Sequence, residues 1–447
     1  MVETIKKLIS EKKILILGYG REGKSTYQLL ERAGGYKELA IADLNPIKDL
    51  LPEYVRCISG EGYQDCLDNY DIVFKSPGVV LTKDLKEYSC HILSQTEVFF
   101  SHYKNQIIGI TGTKGKSTTT TLLYQILKTA GKKAVLAGNI GIPAFDMIDS
   151  IEEDSVIVFE MSSHQLEYMT VAPHIGVLLN IHEEHLDHYG TMEKYVAAKE
   201  RIYRNMQEGD IFLCNVENLP AFGTCKAQII PFPVKEGLNL VMKEEEKPYI
   251  SYKGNVFSIP VEEIQLVGEH NYLDIAAAYG IASLLGIKDE QFREGLIAYR
   301  PLPHRLEKIG TYEGITFYDD SISTICDTTM KALTSIKDVD TVLIGGMDRG
   351  IHYGELIEFL SENPVAHIVL MEATGKRIYE EIHKDYKNFC NRERLYLVKD
   401  LKEAVELSKK ITKKGTSCVL SPAAASYGIF KNFEERGNEF KKYVKNP

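Results

Sequence analysis

Two glycine-rich stretches of this 447-residue chain have the make-up of phosphate-binding loops. The stronger is Gly109-Ile-Thr-Gly112-Thr113-Lys114-Gly115-Lys116-Ser117-Thr118, which follows the strand-like run QIIGIT and opens a helical pattern ending at Gly131. It departs from a strict G-x-x-x-x-G-K-[ST] loop because position 110 is Ile. Its ending still supplies what polyphosphate needs: a nest of backbone N–H donors, a lysine for the β- and γ-phosphates and a hydroxyl for Mg²⁺. The second stretch, Gly18-Tyr-Gly20-Arg21-Glu22-Gly23, lies between the run ILILG and a helical pattern, and Asp43 ends the next strand. That spacing is a dinucleotide fingerprint in which bare N–H groups at a helix amino terminus face a pyrophosphate. Alone it suggests NAD and a dehydrogenase. A nicotinamide enzyme has no use for a second, ATP-type loop, whereas an ATP-using enzyme with a nucleotide-linked substrate needs both.

Carboxylates, imidazoles and a lysine follow further along the chain. Glu160 ends the run VIVFE before the polar turn Met-Ser162-Ser-His164-Gln165, and His182-Glu-Glu-His185-Leu-Asp187-His188 follows GVLLNI. His185 falls one position short of the H-E-x-x-H zinc pattern. With Glu160 and Ser117 it makes a set of hard oxygens plus one imidazole, which suits Mg²⁺ better than zinc. Lys199 lies in the amphipathic stretch TMEKYVAAKERIYRNM and reads, on sequence alone, as a surface lysine.

These residues need elements to hold them, and strands alternate with helical patterns nearly throughout, which implies parallel sheets with crossover helices. One series comprises ILILG, LAIAD and DIVFKS; a second begins at QIIGIT and includes VIVFEM and GVLLNI; a third includes TVLIGG, HIVLM and CVLSP. SHYKNQ and YRPLPHR separate complete series and are the boundary candidates. The expected fold class is α/β in three domains: a Rossmann-like domain with the dinucleotide fingerprint over 1–104, a central P-loop ATPase-like domain over 105–299 and a third α/β domain over 300–447.

Composition agrees with a folded, water-soluble chain: 44% hydrophobic and 26% charged residues. A net charge of −10 argues against bulk nucleic-acid or anionic-membrane binding. The eight cysteines form no C-x-x-C pair and read as small apolar filler in a reducing compartment. No apolar run is long enough to span a membrane, so a cytoplasmic protein is expected.

Nine segments in order resemble the Mur ligase family: GITGTKGKSTTT, GNIG, EMSSHQLE, EEHLDHY, AAKERIY, GEHNYLDIAAA, PLPHRLE, GGMDRG and LSPAAASYGIFKNFEERGNEF. The last segment resembles the glutamate-adding branch. The resemblance implies that the third domain, 300–447, is Rossmann-like and closes on ATP and the amino acid. The resemblance implies ATP-dependent ligation of glutamate, D rather than L, to UDP-N-acetylmuramoyl-L-alanine in peptidoglycan precursor synthesis, through an acyl phosphate. It implies that Gly20, Arg21, Glu22, Gly23, Asp43, Ser76, Pro77, Gly78, Asn139 and His185 hold the UDP substrate. Residues 112–118 with Asn271, Arg305 and Asp320 would hold ATP, and Thr324, Arg349, Ser426, Tyr427 and Phe433 the amino acid. Lys116, Glu160, His185 and Lys199 would be catalytic; Ser117, Glu160, His185 and Lys199 would bind Mg²⁺ or Mn²⁺, with Lys199 carbamylated. A monomer is expected.

Three positions depart from the family pattern. Lys114 stands where Asn is usual, Asp274 replaces the second Asn of H-N-x-x-N, and Ile322 replaces a lysine in the segment Asp319-Asp320-Ser-Ile322-Ser-Thr324. The loss of that cation keeps L-glutamate open as an alternative. A folylpolyglutamate-synthase-like enzyme and a non-catalytic ATP-binding module are weaker rivals.

Overall fold

In the computed structural model the chain divides into two compact units, Met1–Glu263 with Tyr272–Tyr299, and Ile264–Asn271 with Arg300–Pro447. The structure describes all residues except 141, 244–245, 267–269, 388, 390–391 and 447, and the side chains of Asp187, Glu246 and His270. Gly141 of GNIG, Gly268 and Glu269 of GEHNYLDIAAA, the Asp187 side chain and Cys390 therefore lie outside the described residues.

The first unit carries two parallel sheets. One has the order Arg56–Ser59, Glu38–Asp43, Lys13–Leu17, Ile72–Lys75, His91–Leu93. Ile14, Leu15, Ile16 and Leu17 have no exposed surface, as expected of a strand covered on both faces. Strand order reverses between Lys13–Leu17 and Ile72–Lys75, so the carboxyl ends of these two neighbours form the crevice where doubly wound sheets bind ligands. The fingerprint loop leaves one and Ser76-Pro77-Gly78 leaves the other.

The second sheet has the order Gln228–Phe232, Ile211–Asn215, Ile175–Leu178, Ile107–Thr111, Val156–Glu160, Ala134–Gly138, all parallel. Ile107–Thr111 is central. Ile110 lies in register with Glu160 on one side, and Thr111 with Leu178 on the other. The phosphate loop thus emerges between Glu160 and the segment leading to His185. Phe99, Phe100 and Phe159 pack ring on ring beneath, each fully buried ring contributing ~2 kcal/mol or more.

One element differs from the alternating pattern expected. Asn239–Lys243, Glu246–Tyr252 and Asn255–Ser258 form an antiparallel meander. Its second turn is Lys253-Gly254, both at positive φ, the geometry of a two-residue hairpin. The second unit holds a six-stranded sheet ordered Glu307–Tyr312, Ile315–Asp319, Ser417–Leu420, Val339–Gly345, His367–Met371, Leu395–Val398, parallel except for its first strand.

Candidate functional site

Gly115 has φ +82 and precedes the helix Lys116–Thr129. A side chain there is excluded twice, because an added Cβ would lie 2.2 Å from Asp274 Oδ1 and L residues resist that backbone region. The Thr113 N–H donates to the Asn180 carbonyl at 2.9 Å and the Lys114 N–H to Asn180 Oδ1 at 2.8 Å, so the segment after Ile175–Leu178 sets the loop's shape. Lys116 Nζ curls back to the carbonyls of Gly112, at 2.9 Å, and Thr113, at 2.8 Å. Ser117 and Thr118 open the helix, whose amino-terminal N–H groups favour an anion. Lys114, the departure from the family loop, pairs with Glu184 at 2.8 Å. Burial pushes that carboxyl up, but Lys114 and Lys116 outweigh it and hold it below its ordinary value.

A cleft of about 320 Å³ lies against this loop, lined among others by Pro77, Gly78, Lys116, Asn139, His185 and Lys199. The first sheet's turn and the second sheet's loop therefore share one cavity. Glu160 is 1% exposed. Its Oε1 accepts from Asn139 Nδ2 at 2.7 Å, while its Oε2 is buried without a hydrogen-bond partner among the described residues. A buried carboxylate oxygen left unmatched is costly unless something else satisfies it, and a hard cation is the natural complement. His185 sits at φ +58, with Nε2 3.7 Å from Glu184 Oε2. The donor types fit Mg²⁺ or Mn²⁺.

Lys199 corrects the surface reading: it is 1% exposed. Its Nζ donates to the Gly112 carbonyl at 2.8 Å and lies 4.9 Å from the Tyr195 ring centroid. Burial, helped by the charge of Lys116, pushes its ammonium well below the usual lysine range. That favours the neutral amine, the form that reacts with CO₂.

At the first sheet, a Cβ on Gly23 would meet the Gly18 carbonyl oxygen at 2.1 Å, so the helix Arg21–Ala33 can approach the strand only through glycine. Gly20 caps this helix and Arg21 is exposed. Asp43 braces the loop, accepting the N–H of Tyr19 at 2.7 Å through Oδ2 and that of Asn45 at 2.8 Å through Oδ1. Ser76 Oγ donates to the Gly18 carbonyl at 2.7 Å, tying the two carboxyl ends together. Glu22 turns inward: Oε1 accepts from Gln165 Nε2 at 2.8 Å, and burial raises its carboxyl above the ordinary range.

The second unit carries the remaining candidates. Asp320 is buried; the Leu306 N–H donates to its Oδ1 at 3.1 Å and Ser421 Oγ to its Oδ2 at 2.8 Å. Burial pushes this carboxyl up to about 7 against those hydrogen bonds and the charge of Arg305. The residues preceding this pair, His304 and Asp319, are joined at 2.6 Å. Gly437 makes room for the pair, since a Cβ there would lie 2.0 Å from His304 Nδ1. Arg349 Nη2 donates to the Thr324 carbonyl at 2.7 Å. Ser426 is buried, Tyr427 is exposed, and Phe433 begins the helix Phe433–Lys445 while its carbonyl accepts from Ser321 Oγ. Asn271 is buried in the first turn of the helix His270–Leu284.

Sequence reasoning passed over Tyr195, whose OH meets Thr113 Oγ1 at 2.9 Å, and Lys75 under the Ser76 turn. It named His164 in the turn after Glu160 but gave it no role; its ring packs on His185 and His188, and burial and those neighbours push it down to about 4. Tyr195 and Lys199 share a helical face, a spacing the sequence does display.

A phosphate loop beside a buried carboxylate and a buried lysine, opening on the switch-point turn of a second parallel sheet, is the architecture of a nucleotide-dependent enzyme. Residues 110–282 match the Mur ligase middle domain. The chain is 32% identical over 443 residues to the UDP-N-acetylmuramoylalanine–D-glutamate ligase of Streptococcus agalactiae serotype III (strain NEM316), covering 96% of each. It is 34% identical over 451 residues to the enzyme of the same name from Clostridioides difficile (strain 630), covering 97% of this chain and 98% of that one. The solved structure of UDP-N-acetylmuramate–alanine ligase from Thermotoga maritima aligns with TM-score 0.59 at 20% identity, over 96% of this chain and 98% of that one. MurF from Acinetobacter baumannii aligns with TM-score 0.62 at 16% identity, over 99% and 92%. At those identities the structural likeness is one of fold. The class is that of the ATP-dependent ligases. The chain belongs to the Mur ligase family. Among the described residues no helix is long and apolar enough to cross a membrane.

Proposed function

We propose that this protein joins D-glutamate to UDP-N-acetylmuramoyl-L-alanine at the expense of ATP, releasing ADP and phosphate. The observation that carries the reading is the single cleft shared by Pro77-Gly78 and by Lys116, Asn139, His185 and Lys199. It offers an anion-binding turn and an ATP-type loop within one cavity, and the full-length relatives named for this reaction support the substrate.

In this reading the alanyl carboxylate attacks the γ-phosphorus of ATP and the bond to the ADP oxygen breaks. The glutamate amine then adds to the acyl-phosphate carbon, the carbon–oxygen bond to phosphate breaks, and the amine proton passes to solvent. Phosphoryl transfer demands positioning and charge neutralisation above all. Lys116, now occupied by two loop carbonyls, is the mobile cation that exchanges them for phosphate oxygens. Gly112, Thr113, Lys114, Gly115, Ser117 and Thr118 supply the nest around the polyphosphate. Ser117, Glu160, His185 and a carbamylated Lys199 would hold Mg²⁺ or Mn²⁺, which supplies charge neutralisation at the γ-phosphate.

Gly20, Arg21, Glu22, Gly23, Asp43, Ser76, Pro77, Gly78 and Asn139 are assigned to the UDP substrate, with the Glu22 and Asp43 side chains acting by bracing the loop. Asn271, Arg305 and Asp320 are assigned to the nucleotide, and Thr324, Arg349, Ser426, Tyr427 and Phe433 to glutamate. Arg349 can grip a carboxylate with two parallel N–H donors, the role left open by Ile322. These assignments divide the chain into functional domains 1–104, 105–299 and 300–447, in a monomeric cytoplasmic enzyme.

The test is phosphate release with ATP, Mg²⁺ and UDP-N-acetylmuramoyl-L-alanine, with D- and L-glutamate in parallel. Turnover with D-glutamate alone is expected. Turnover with L-glutamate alone would overturn the stereochemistry and make Ile322 part of the change. No turnover with either would overturn the substrate.

A further inference from the structure

The first sheet delivers a lysine to a place where a charged group is costly. Lys75 ends the apolar strand Ile72–Lys75, one residue before Ser76-Pro77-Gly78, and is 5% exposed. An aliphatic side chain would cover the same surface without desolvating an ammonium. The ammonium instead donates to two consecutive carbonyls of the turn, those of Ser76 at 3.3 Å and Pro77 at 3.4 Å. On its other side it lies 5.0 Å from the centroid of the Tyr168 ring, a cation–π contact. Glu22 and Glu167 face it electrostatically. Glu22 is itself tied to Gln165, and Glu167 accepts from His188 Nε2 at 3.0 Å.

The peptide plane gives this contact a consequence. In a trans peptide the carbonyl of one residue and the N–H of the next point in opposite directions, and the only cis bond among the described residues is Phe232-Pro233. Drawing the Pro77 carbonyl inward to Lys75 therefore turns the Gly78 N–H away from Lys75. Gly78 lines the cleft. A Cβ on Gly78 would meet nothing within 4 Å, so the protein's own packing leaves open space there.

We infer that Lys75 is a positioning residue for the nucleoside-diphosphate end of the substrate: it clamps the Ser76-Pro77-Gly78 turn against the Gln165–Tyr168 segment and so presents the Gly78 N–H to a phosphate oxygen. The inference rests on the proposed UDP-substrate site. Lys75 does not touch the reacting atoms, so it governs affinity for the UDP substrate and leaves the chemical step alone.

The experiment compares Lys75→Met, Lys75→Arg and Gly78→Ala with the wild type. Binding of UDP-N-acetylmuramoyl-L-alanine is measured by calorimetry, alongside KM for each substrate and kcat. Lys75→Met is expected to weaken UDP-substrate binding and raise its KM about tenfold or more, with kcat and the ATP KM within about twofold, and Lys75→Arg to recover part of the loss. Gly78→Ala keeps the wild-type fold, since its methyl meets open space, and should raise the same KM.

Burial pushes the Lys75 ammonium down to about 8 against the pull of Glu167 and Glu22. Wild-type affinity should therefore fall between pH 7 and 9, and the Met variant should lose that dependence. The other groups around it are Glu22, Glu167, Tyr168, His164 and His188; Tyr168, pushed up to about 12, and His164, pushed down to about 4, lie outside that window. A Met variant that binds like the wild type overturns the inference alone. If Lys75→Met does not fold, a Gly78→Ala variant that binds the UDP substrate like the wild type overturns it equally. A wild type that binds no UDP substrate overturns the functional reading together with the inference.

Discussion

Replacing Gly115 by Ala tests the geometry of the phosphate loop without removing any charged group. At φ +82 an L residue costs ~1–2 kcal/mol. The new methyl would also stand 2.2 Å from Asp274 Oδ1, roughly 1 Å inside the carbon–oxygen contact distance. Either the carboxylate swings aside or the loop shifts, at a further ~1–2 kcal/mol by comparison with overpacked cores. The sum, ~2–4 kcal/mol, corresponds to a loss of roughly 30- to 1000-fold in kcat/KM for ATP if the binding-competent loop bears all of it. Asp274→Ala removes only the steric share, so the double variant should recover about tenfold over Gly115→Ala while keeping the backbone penalty, a coupling that a double-mutant cycle isolates. The assay is ADP release against ATP concentration, with a thermal melt of each variant to exclude unfolding. A Gly115→Ala enzyme within threefold of wild type, or a double variant no better than the single, would refute the reasoning.

Two further outcomes follow from buried carboxylates. Glu160→Gln should lower kcat by roughly a thousandfold while the apoprotein melts no lower, because a neutral amide replaces a buried carboxyl group whose Oε2 has no hydrogen-bond partner among the described residues; Mg²⁺–nucleotide should then raise the melting temperature of the wild type only, and wild-type turnover in the Gln variant would sink the assignment. For Asp320, the folded value of about 7 lies above the ordinary 3.8, so the folded state binds the extra proton. Its stabilisation is complete below pH 4 and is lost as pH rises toward 7, at on the order of 1 kcal/mol per pH unit. Asp320→Asn should flatten that slope in denaturant titrations at pH 5 and 7, and superimposable slopes in variant and wild type would count against it.

The phosphate loop and the three series of parallel strands were legible because local rules determine them. A glycine with positive φ between a strand and a helix needs no tertiary information, nor does an apolar run stopped by Gly or Pro. Lys199 was misread for a specific reason. Tyr195, Ala198, Lys199, Ile202 and Tyr203 are all buried along one helix, at the i, i+3, i+4, i+7, i+8 spacing of a core-facing stripe, so the lysine stood at an apolar position all along. Lys75 offers the same lesson in a strand, where a terminal lysine after Ile-Val-Phe looks like the start of a solvated turn. The meander over 239–258 left a fainter trace, since its first strand is only half covered and only the Lys253-Gly254 turn is distinctive. The Glu22–Gln165 link joins positions far apart in the chain, and no local pattern announces it.

Gly437 lies inside the helix Phe433–Lys445, where a glycine ordinarily forfeits ~1 kcal/mol relative to Ala. A stabilising design would replace it early, and here it would fail, because the methyl would strike His304 Nδ1 at 2.0 Å and Asp319 Oδ2 at 2.7 Å. The three positions thus impose an order on change. Position 437 can accept a side chain only after His304 has been exchanged for something smaller, and that exchange first takes the 2.6 Å His304 contact from a buried Asp319, leaving it the Ser321 N–H and the more distant Lys441 ammonium. Each path away from the present trio runs through a less stable intermediate, so a saturation scan should find this helical glycine among the least replaceable residues of the carboxyl-terminal unit.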